Sequence, residues 1–259
     1  MPYLKELEAA KKAAVIAGKA ILEIYNSNNF DVQYKKDNSP LTRADKASNE
    51  IIVKIMRDNF PDYAILSEEE QDDLTRLDND FCFVIDPLDG TKEFIKRNGQ
   101  FTVNIALSYK HKSVMGVIYV PVTEELYFAT EGYGSFLEKN GVVTKLNVCK
   151  EKKEKSELNF VMSNSHNCAK TEELLKKYKL KNFVRVGSSI KGCMIANGKA
   201  DAYYRHTPTM EWDTAAMQCI AEQAGAVFMQ MDDTPMLYNR KDSLNSKGFY
   251  IINDMNNKL

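Results

Sequence analysis

Residues 81–91, FCFVIDPLDGT, constrain this chain more than any other stretch. Phe81–Ile85 is a dense apolar run of strand length, and it leads straight into Asp86-Pro87-Leu88-Asp89-Gly90-Thr91. Proline fixes φ and glycine permits a sharp turn, so the reading is a buried strand that stops at Pro87 and Gly90. Asp86 and Asp89 can then converge on one point, with the Leu88 carbonyl between them. Hard divalent cations such as Mg²⁺ take oxygen ligands of this kind. Two metal ions about 3.5–4 Å apart can clamp an in-line phosphoryl displacement. The plainer reading is an Asp-capped turn, because Asp-Pro and Asp-Gly pairs are common in turns.

Other acidic groups bear on that choice. Ser67-Glu68-Glu69-Glu70 follows the short apolar run Tyr63–Leu66, so at least one glutamate can stand at a strand end beside the same cleft; the plainer reading is a solvated acidic loop. Glu211-Trp212-Asp213-Thr214-Ala215-Ala216 puts Asp213 at the start of a helix, either as an N-cap or as a further oxygen ligand. Asp45 falls in the first turn of another helix, as a charge that complements the helix dipole or as a site residue.

Around these segments, apolar spacing predicts one amphipathic helix over 3–26 and a second over 44–58, closed by Pro61. Strand-type segments follow at Phe101–Leu107, Val114–Tyr119 and Glu125–Ala129, and Asn140-Gly141 is a two-residue hairpin signal. The charge-rich stretch 149–158 is the best boundary. Beyond it strands (Phe160–Ser163, Phe183–Val186, Ala202–Tyr204) alternate with helices (171–179, 189–197, 213–224), and Gly225 fits a C-terminal cap. The expectation is an α/β or α+β layered chain in two lobes, 1–150 and 151–259, with a cleft between them.

At 259 residues the chain has room for one large or two small domains. Its 44% apolar and 27% charged residues are ordinary for a folded soluble protein. A net charge of −1 gives no broad attraction for a nucleic-acid polymer or an anionic membrane, although a small anionic substrate remains compatible with a local site. No apolar run reaches the roughly 18–20 residues of a membrane span, and the N-terminal stretch carries charges where a signal peptide would be apolar. Five cysteines without a Cys-x-x-Cys pair argue against a disulfide framework or a zinc site and fit a reducing cytoplasm. The three histidines, His111, His166 and His206, lack the helical pairing of a zinc hydrolase. There is no triphosphate-binding Gly-x-x-x-x-Gly-Lys loop and no Gly-x-Ser-x-Gly elbow.

Glu68-Glu69, Asp86-Pro87-Leu88-Asp89-Gly90-Thr91 and Trp212-Asp213-Thr214-Ala215-Ala216 together resemble, in that order, the three motifs of the inositol monophosphatase superfamily of Mg²⁺-dependent, lithium-sensitive phosphatases. The stretches 35–45, 66–69, 86–107 and 187–205 look most like those of the CysQ-type 3'(2'),5'-bisphosphate nucleotidases, with Lys92-Glu93-Phe94-Ile95 where inositol monophosphatases usually carry an Asn-Phe-type continuation.

The resemblance implies an αβαβα sandwich with two or three Mg²⁺ held by Glu68, Asp86, the Leu88 carbonyl, Asp89 and Asp213. It implies that Thr91 and Asp45 polarise the attacking water, helped by Glu68, and that Asp86, Gly90 and Thr91 lie at the scissile phosphate. By the same analogy Ser188, Lys191 and Arg205 contact the nucleotide and its second phosphate, and His166 faces the adenine. Without the resemblance, Lys191 and Arg205 read as exposed charges on a helix and a strand end. The implied reaction removes the 3'-phosphate of adenosine 3',5'-bisphosphate, with 3'-phosphoadenylyl sulfate as a second candidate. The alternatives are an inositol or other sugar monophosphate phosphatase, and a non-catalytic sensor of nucleotide or Mg²⁺. The implied location is cytoplasmic, with room for peripheral association at the inner face of the membrane.

Overall fold

The computed structural model describes residues 3–27, 30–34, 40–165 and 168–259, and arranges them in five layers. The first layer is the helix pair α1 (Leu4–Asn26) and α2 (Arg43–Asn59), joined through a two-residue ribbon of β1 (Gln33–Tyr34) and β2 (Pro40–Leu41). The second is a seven-stranded sheet in sequence order: β3 (Ala64–Ser67), β4 (Phe81–Asp89), β5 (Thr102–Tyr109), β6 (Lys112–Val120), β7 (Glu125–Thr130), β8 (Gly134–Lys139) and β9 (Val142–Leu146). Only the β3–β4 pair in it is parallel. A short helix, α3 (Thr91–Ile95), follows β4.

The middle layer is α5 (Ile190–Ala196) and α6 (Glu211–Gln223). Behind it lies a five-stranded sheet in the order β11 (Asn182–Val186), β10 (Asn159–Ser163), β12 (Ala202–Arg205), β16 (Phe249–Ile252) and β14 (Val227–Gln230). Helix α4 (Ala169–Lys177) covers its far face, and β13 (Thr209–Met210) and β15 (Leu244–Asn245) form a small ribbon. This is the αβαβα sandwich that the resemblance implied.

The layering follows from two-residue alternation in the strands. In β4, Phe83 and Ile85 pack into the cluster under α1 and α2, whereas Cys82 and Val84 pack into the cluster around α6. In β10 and β12, Phe160, Met162 and Tyr204 face α4, whereas Val161 and Tyr203 face the middle helices. Each fully buried large side chain contributes about 1.5–3 kcal/mol of transfer free energy. Gly116 in β6 lets α6 sit directly on the sheet, because a Cβ there would stand 2.5 Å from the Ala216 carbonyl oxygen.

Three expectations need correction. Strand β4 does not stop at Pro87 but continues to Asp89 through a register shift. Helix α6 begins at Glu211, so its N-cap is Met210 and Asp213 is its third residue. Strands β14 and β16, both antiparallel to their neighbours, close the second sheet where the sequence suggested no strand. The charged stretch 149–158 does separate the strands of the two sheets, with a 3₁₀ turn at Lys155–Glu157. No described helix is long and apolar enough to cross a membrane, and the five cysteines are free thiols.

Candidate active site

The register shift in β4 builds the site. Asp86 lies opposite Asn104 and Asp89 opposite Thr102, so β4 carries one residue more than β5 between those pairs. Such a bulge re-aims side chains, and Pro87, with no N–H to donate, is tolerated in it. Buried Ser48 of α2 donates to the Pro87 carbonyl at 2.6 Å, and the Leu88 N–H donates to Asp86 Oδ1 at 3.1 Å. Gly90 then turns the chain into α3 at φ 93°, where an added Cβ would also lie 3.0 Å from the Gln100 carbonyl oxygen.

The bulge points Asp86 and Asp89 at Asp213, and one carboxylate oxygen from each lies within 4.8 Å of the others. These groups open on a cleft of about 1030 Å³, whose walls include Glu68, Leu88, Gly90, Thr91, Lys191 and Arg205. Asp213 is held by the Met210 N–H, which donates to its Oδ2 at 2.6 Å. Asp89 Oδ2 accepts from Ser189 Oγ at 2.6 Å and from Asn104 Nδ2 at 3.3 Å.

Burial and neighbouring like charges disfavour ionisation of Asp86 and Asp213. Burial first, then Glu68, Asp89 and Asp213, raises the Asp86 carboxyl well above its usual range. Burial and Asp89 push Asp213 up to about 7. A donor set of hard oxygens that resists its own charge fits a bound divalent cation, which would supply the missing positive charge. The sign of the linkage follows. In chelator, folded Asp213 keeps a proton that the unfolded chain releases near 3.8, so stability falls as pH rises from there through about 7. Calorimetry in chelator is expected to show Tm falling across this window, with a smaller fall in Asp213→Asn. Equal slopes in the two proteins would contradict the assignment.

Asp45 and Thr91, 46 residues apart, meet at the same cleft: Thr91 Oγ1 donates to Asp45 Oδ1 at 3.1 Å and to the Leu88 carbonyl at 3.2 Å. The other carboxylate oxygen of Asp45 closes a capping box on α2, accepting from the Thr42 N–H at 2.7 Å and the Thr42 hydroxyl at 2.6 Å. Burial raises the Asp45 carboxyl despite these donors.

The opposite wall comes from the second sheet. Ser188 sits at φ 48°, and its buried hydroxyl has no hydrogen-bond partner among the described residues. Lys191 is not the exposed charge its sequence context suggested. It is 6% exposed, donates to the Ser188 and Val186 carbonyls and lies 5.5 Å above the Tyr203 ring. Burial lowers its ammonium to about 8. Arg205 is half-buried, lines the cleft and donates to the Thr207 and Pro208 carbonyls, both neutral. His166 lies outside the described residues.

Sequence reading missed Ser189, Asn104 and Thr102, which cage Asp89. A signal was present: Thr102 and Asn104 are polar residues two apart, interrupting a strand whose other residues up to Leu107 are apolar, so they share one face. It also missed Glu93, which accepts from Ser165 Oγ and Asn98 Nδ2, and Gln100, which accepts from Asn164 and the Gly187 N–H. These bonds tie α3 and its following loop to the strand ends of the second sheet.

Comparison with known proteins places this geometry in a family. The sequence profile of the inositol monophosphatase family matches residues 4–256. The chain is 39% identical over 237 residues to the 3'(2'),5'-bisphosphate nucleotidase CysQ of Escherichia coli K12, covering 91% of this chain and 94% of that one. Among solved structures it is similar to CysQ from Bacteroides thetaiotaomicron, with a TM-score of 0.83 and 42% identity over 96% of this chain and 97% of the other. Inositol monophosphatase from Anabaena sp. PCC 7120 shares the fold, with a TM-score of 0.79 and 24% identity over 98% and 93% of the two chains. With a profile that spans both sheets and relatives of matching length, the chain belongs to the inositol monophosphatase family.

Proposed function

We propose that this protein is a Mg²⁺-dependent 3'(2'),5'-bisphosphate nucleotidase that removes the 3'-phosphate of adenosine 3',5'-bisphosphate, giving AMP and phosphate. 3'-Phosphoadenylyl sulfate is a second substrate of the same shape. The observation that carries the reading is the convergence of Asp86, Asp89 and Asp213 beside the Thr91–Asp45 pair, in a chain 39% identical to a nucleotidase of that name.

Glu68, Asp86, the Leu88 carbonyl, Asp89 and Asp213 are the groups that would hold two or three Mg²⁺. The chemistry such ions supply when bound is Lewis-acidic: they offset the charge of the phosphate monoester, acidify a water and stabilise the leaving alkoxide. Thr91, by donating to Asp45, keeps a lone pair of its hydroxyl free to accept from a water in the cleft, and the buried Asp45 carboxylate is the proton sink behind it. Glu68 helps to orient that water. Gly90 lines the cleft at the turn into α3, where the resemblance puts the scissile phosphate. On the far wall, Ser188, Lys191 and Arg205 offer donors for the second phosphate, and His166 is assigned to the adenine by resemblance alone. Lithium competes for one carboxylate site in this reading and inhibits.

A phosphate-release panel tests the assignment with wild type and Arg205→Ala. The substrates are adenosine 3',5'-bisphosphate, 3'-phosphoadenylyl sulfate and inositol 1-phosphate, with and without Li⁺. Wild type is expected to favour the bisphosphates and to be inhibited by Li⁺. Loss of a charge-assisted bond worth roughly 1.5–3 kcal/mol should raise KM for the bisphosphate about ten- to a hundredfold in Arg205→Ala and leave inositol 1-phosphate nearly unchanged. Equal losses on both, or a preference for inositol 1-phosphate, would favour a sugar monophosphatase; no release from any substrate would favour a binding protein.

A further inference from the structure

A second buried polar network lies behind the acidic cluster, and the chemistry proposed above does not use it. Its centre is Asn239, 2% exposed, on the loop between β14 and β15. Asn239 Nδ2 donates to the carbonyls of Arg76 and Asn79, both at 3.1 Å, and Asn239 Oδ1 accepts from Arg76 Nη1 at 2.8 Å. The Arg76 guanidinium, 3% exposed, also donates to Asp72 at 2.8–3.1 Å and to the Arg240 carbonyl at 2.9 Å. On the other side, Glu211 is fully buried and accepts from the backbone N–H groups of Asn239 at 2.6 Å and Arg240 at 3.0 Å.

The two ends of this network matter. Asp72 stands four residues after Glu68, on the segment that leads away from β3. Glu211 is the first residue of α6, two before Asp213. The network is therefore a rigid strut between the segments that carry Glu68 and Asp213. Those segments lie far apart in the sequence, yet Glu68 on one and Asp213 on the other line the same cleft, where like-charged carboxylates repel. We propose that Asn239, with Arg76 and Glu211, is a positioning element that holds the segments carrying Glu68 and Asp213 together at the cleft they share. The proposal rests on the phosphatase reading above, since it needs the acidic cluster to take a cation.

A buried network of this kind stabilises any fold, so the test needs a readout that stability alone leaves unmoved. Asn239 has φ 53°. Glycine adopts that conformation without strain, so Asn239→Gly removes the side chain and keeps the turn. Arg76→Lys keeps the charge but loses the planar fork, and serves if the glycine variant does not fold. A control is Asn253→Ala, which breaks another buried network at the opposite end of β12, where Asn253 Nδ2 donates to Asp201 at 2.8 Å.

Mg²⁺ alone is titrated by calorimetry into each folded full-length protein, without substrate and well below its Tm. Outer-shell partners of metal sites typically account for about 10–100-fold in affinity. Asn239→Gly or Arg76→Lys is expected to weaken Mg²⁺ binding by about tenfold or more. The control should bind as wild type does, and kcat for Asn239→Gly at saturating Mg²⁺ should stay near the wild-type value. Unchanged Mg²⁺ affinity in a folded strut variant, or an equal loss in the control, overturns the proposal. A wild-type protein that binds no Mg²⁺ overturns the phosphatase reading itself.

Discussion

Asp89→Asn is expected to lower kcat/KM at ordinary Mg²⁺ by about a thousandfold or more, with the fold intact. The magnitude follows from the Lewis-acid contribution of a bound ion, several kcal/mol, at tenfold per 1.36 kcal/mol. Asparagine keeps the shape and one acceptor oxygen for Ser189, which donates to Asp89 at 2.6 Å, so little packing is lost. What is lost is a charge. That change has an opposite effect on the metal-free protein, because Asp89 is one of the groups that raises the Asp86 and Asp213 carboxyls. In chelator, Asp89→Asn should therefore melt at or above the wild-type temperature while being nearly inactive with Mg²⁺. Phosphate-release kinetics and calorimetry check both halves. Near-normal turnover would remove Asp89 from the metal set, and a large drop in Tm would mean that inactivity reflects unfolding.

Thr91→Ala and Asp45→Asn should each reduce kcat by about 10²–10⁴-fold, the usual contribution of a positioned proton acceptor, with little change in KM. Neither group is needed to hold substrate in this reading; both act on the water. The 3.1 Å bond between them makes them one unit, and residues that act as a unit lose activity non-additively. The double variant should thus lose about as much as either single variant. Asp45→Asn retains an oxygen for the Thr42 N–H, so the cap on α2 survives and stability changes little. Losses that multiply in the double variant would show two separate steps.

Much of this was legible in the sequence because each decisive motif is a short contiguous run, although the motifs themselves lie far apart. The apolar run before Asp86, the Asn140-Gly141 hairpin and the amphipathic spacing of α1 and α2 are local signals, and the structure follows them. Local rules also misled where two principles compete. Proline and glycine ordinarily end a strand, yet β4 passes through Pro87 because a bulge needs no N–H there. Asp213 has the sequence position of an N-cap as well as of an oxygen ligand, but it is the third residue of α6, and the Met210 N–H bonds back to it. Lys191 has the spacing of a surface residue and is nonetheless buried, because Ser188 and Val186 offer carbonyls that no sequence pattern announces. Strands β14 and β16 are short; β16 pairs with β12 across the whole of residues 206–248, and β14 pairs only with β16, so nothing local marks them.

The close seat of α6 on β6, with Ala216 against Gly116, also bears on how the molecule is made. A nascent chain of 150 residues has every strand of the first sheet but not the helix that covers its inner side. Cys82, Val84, Ala106 and Ile118 then face solvent until residues 211–223 have been synthesised and have docked. Contacts of such long sequence separation form slowly, and exposed apolar sheet invites association meanwhile. Asp213 arrives on that same helix, so the acidic cluster is complete only when the last large apolar surface closes. A competent centre is in this sense a certificate of finished folding: half-made or misdocked chains lack the third carboxylate and are silent rather than partly active.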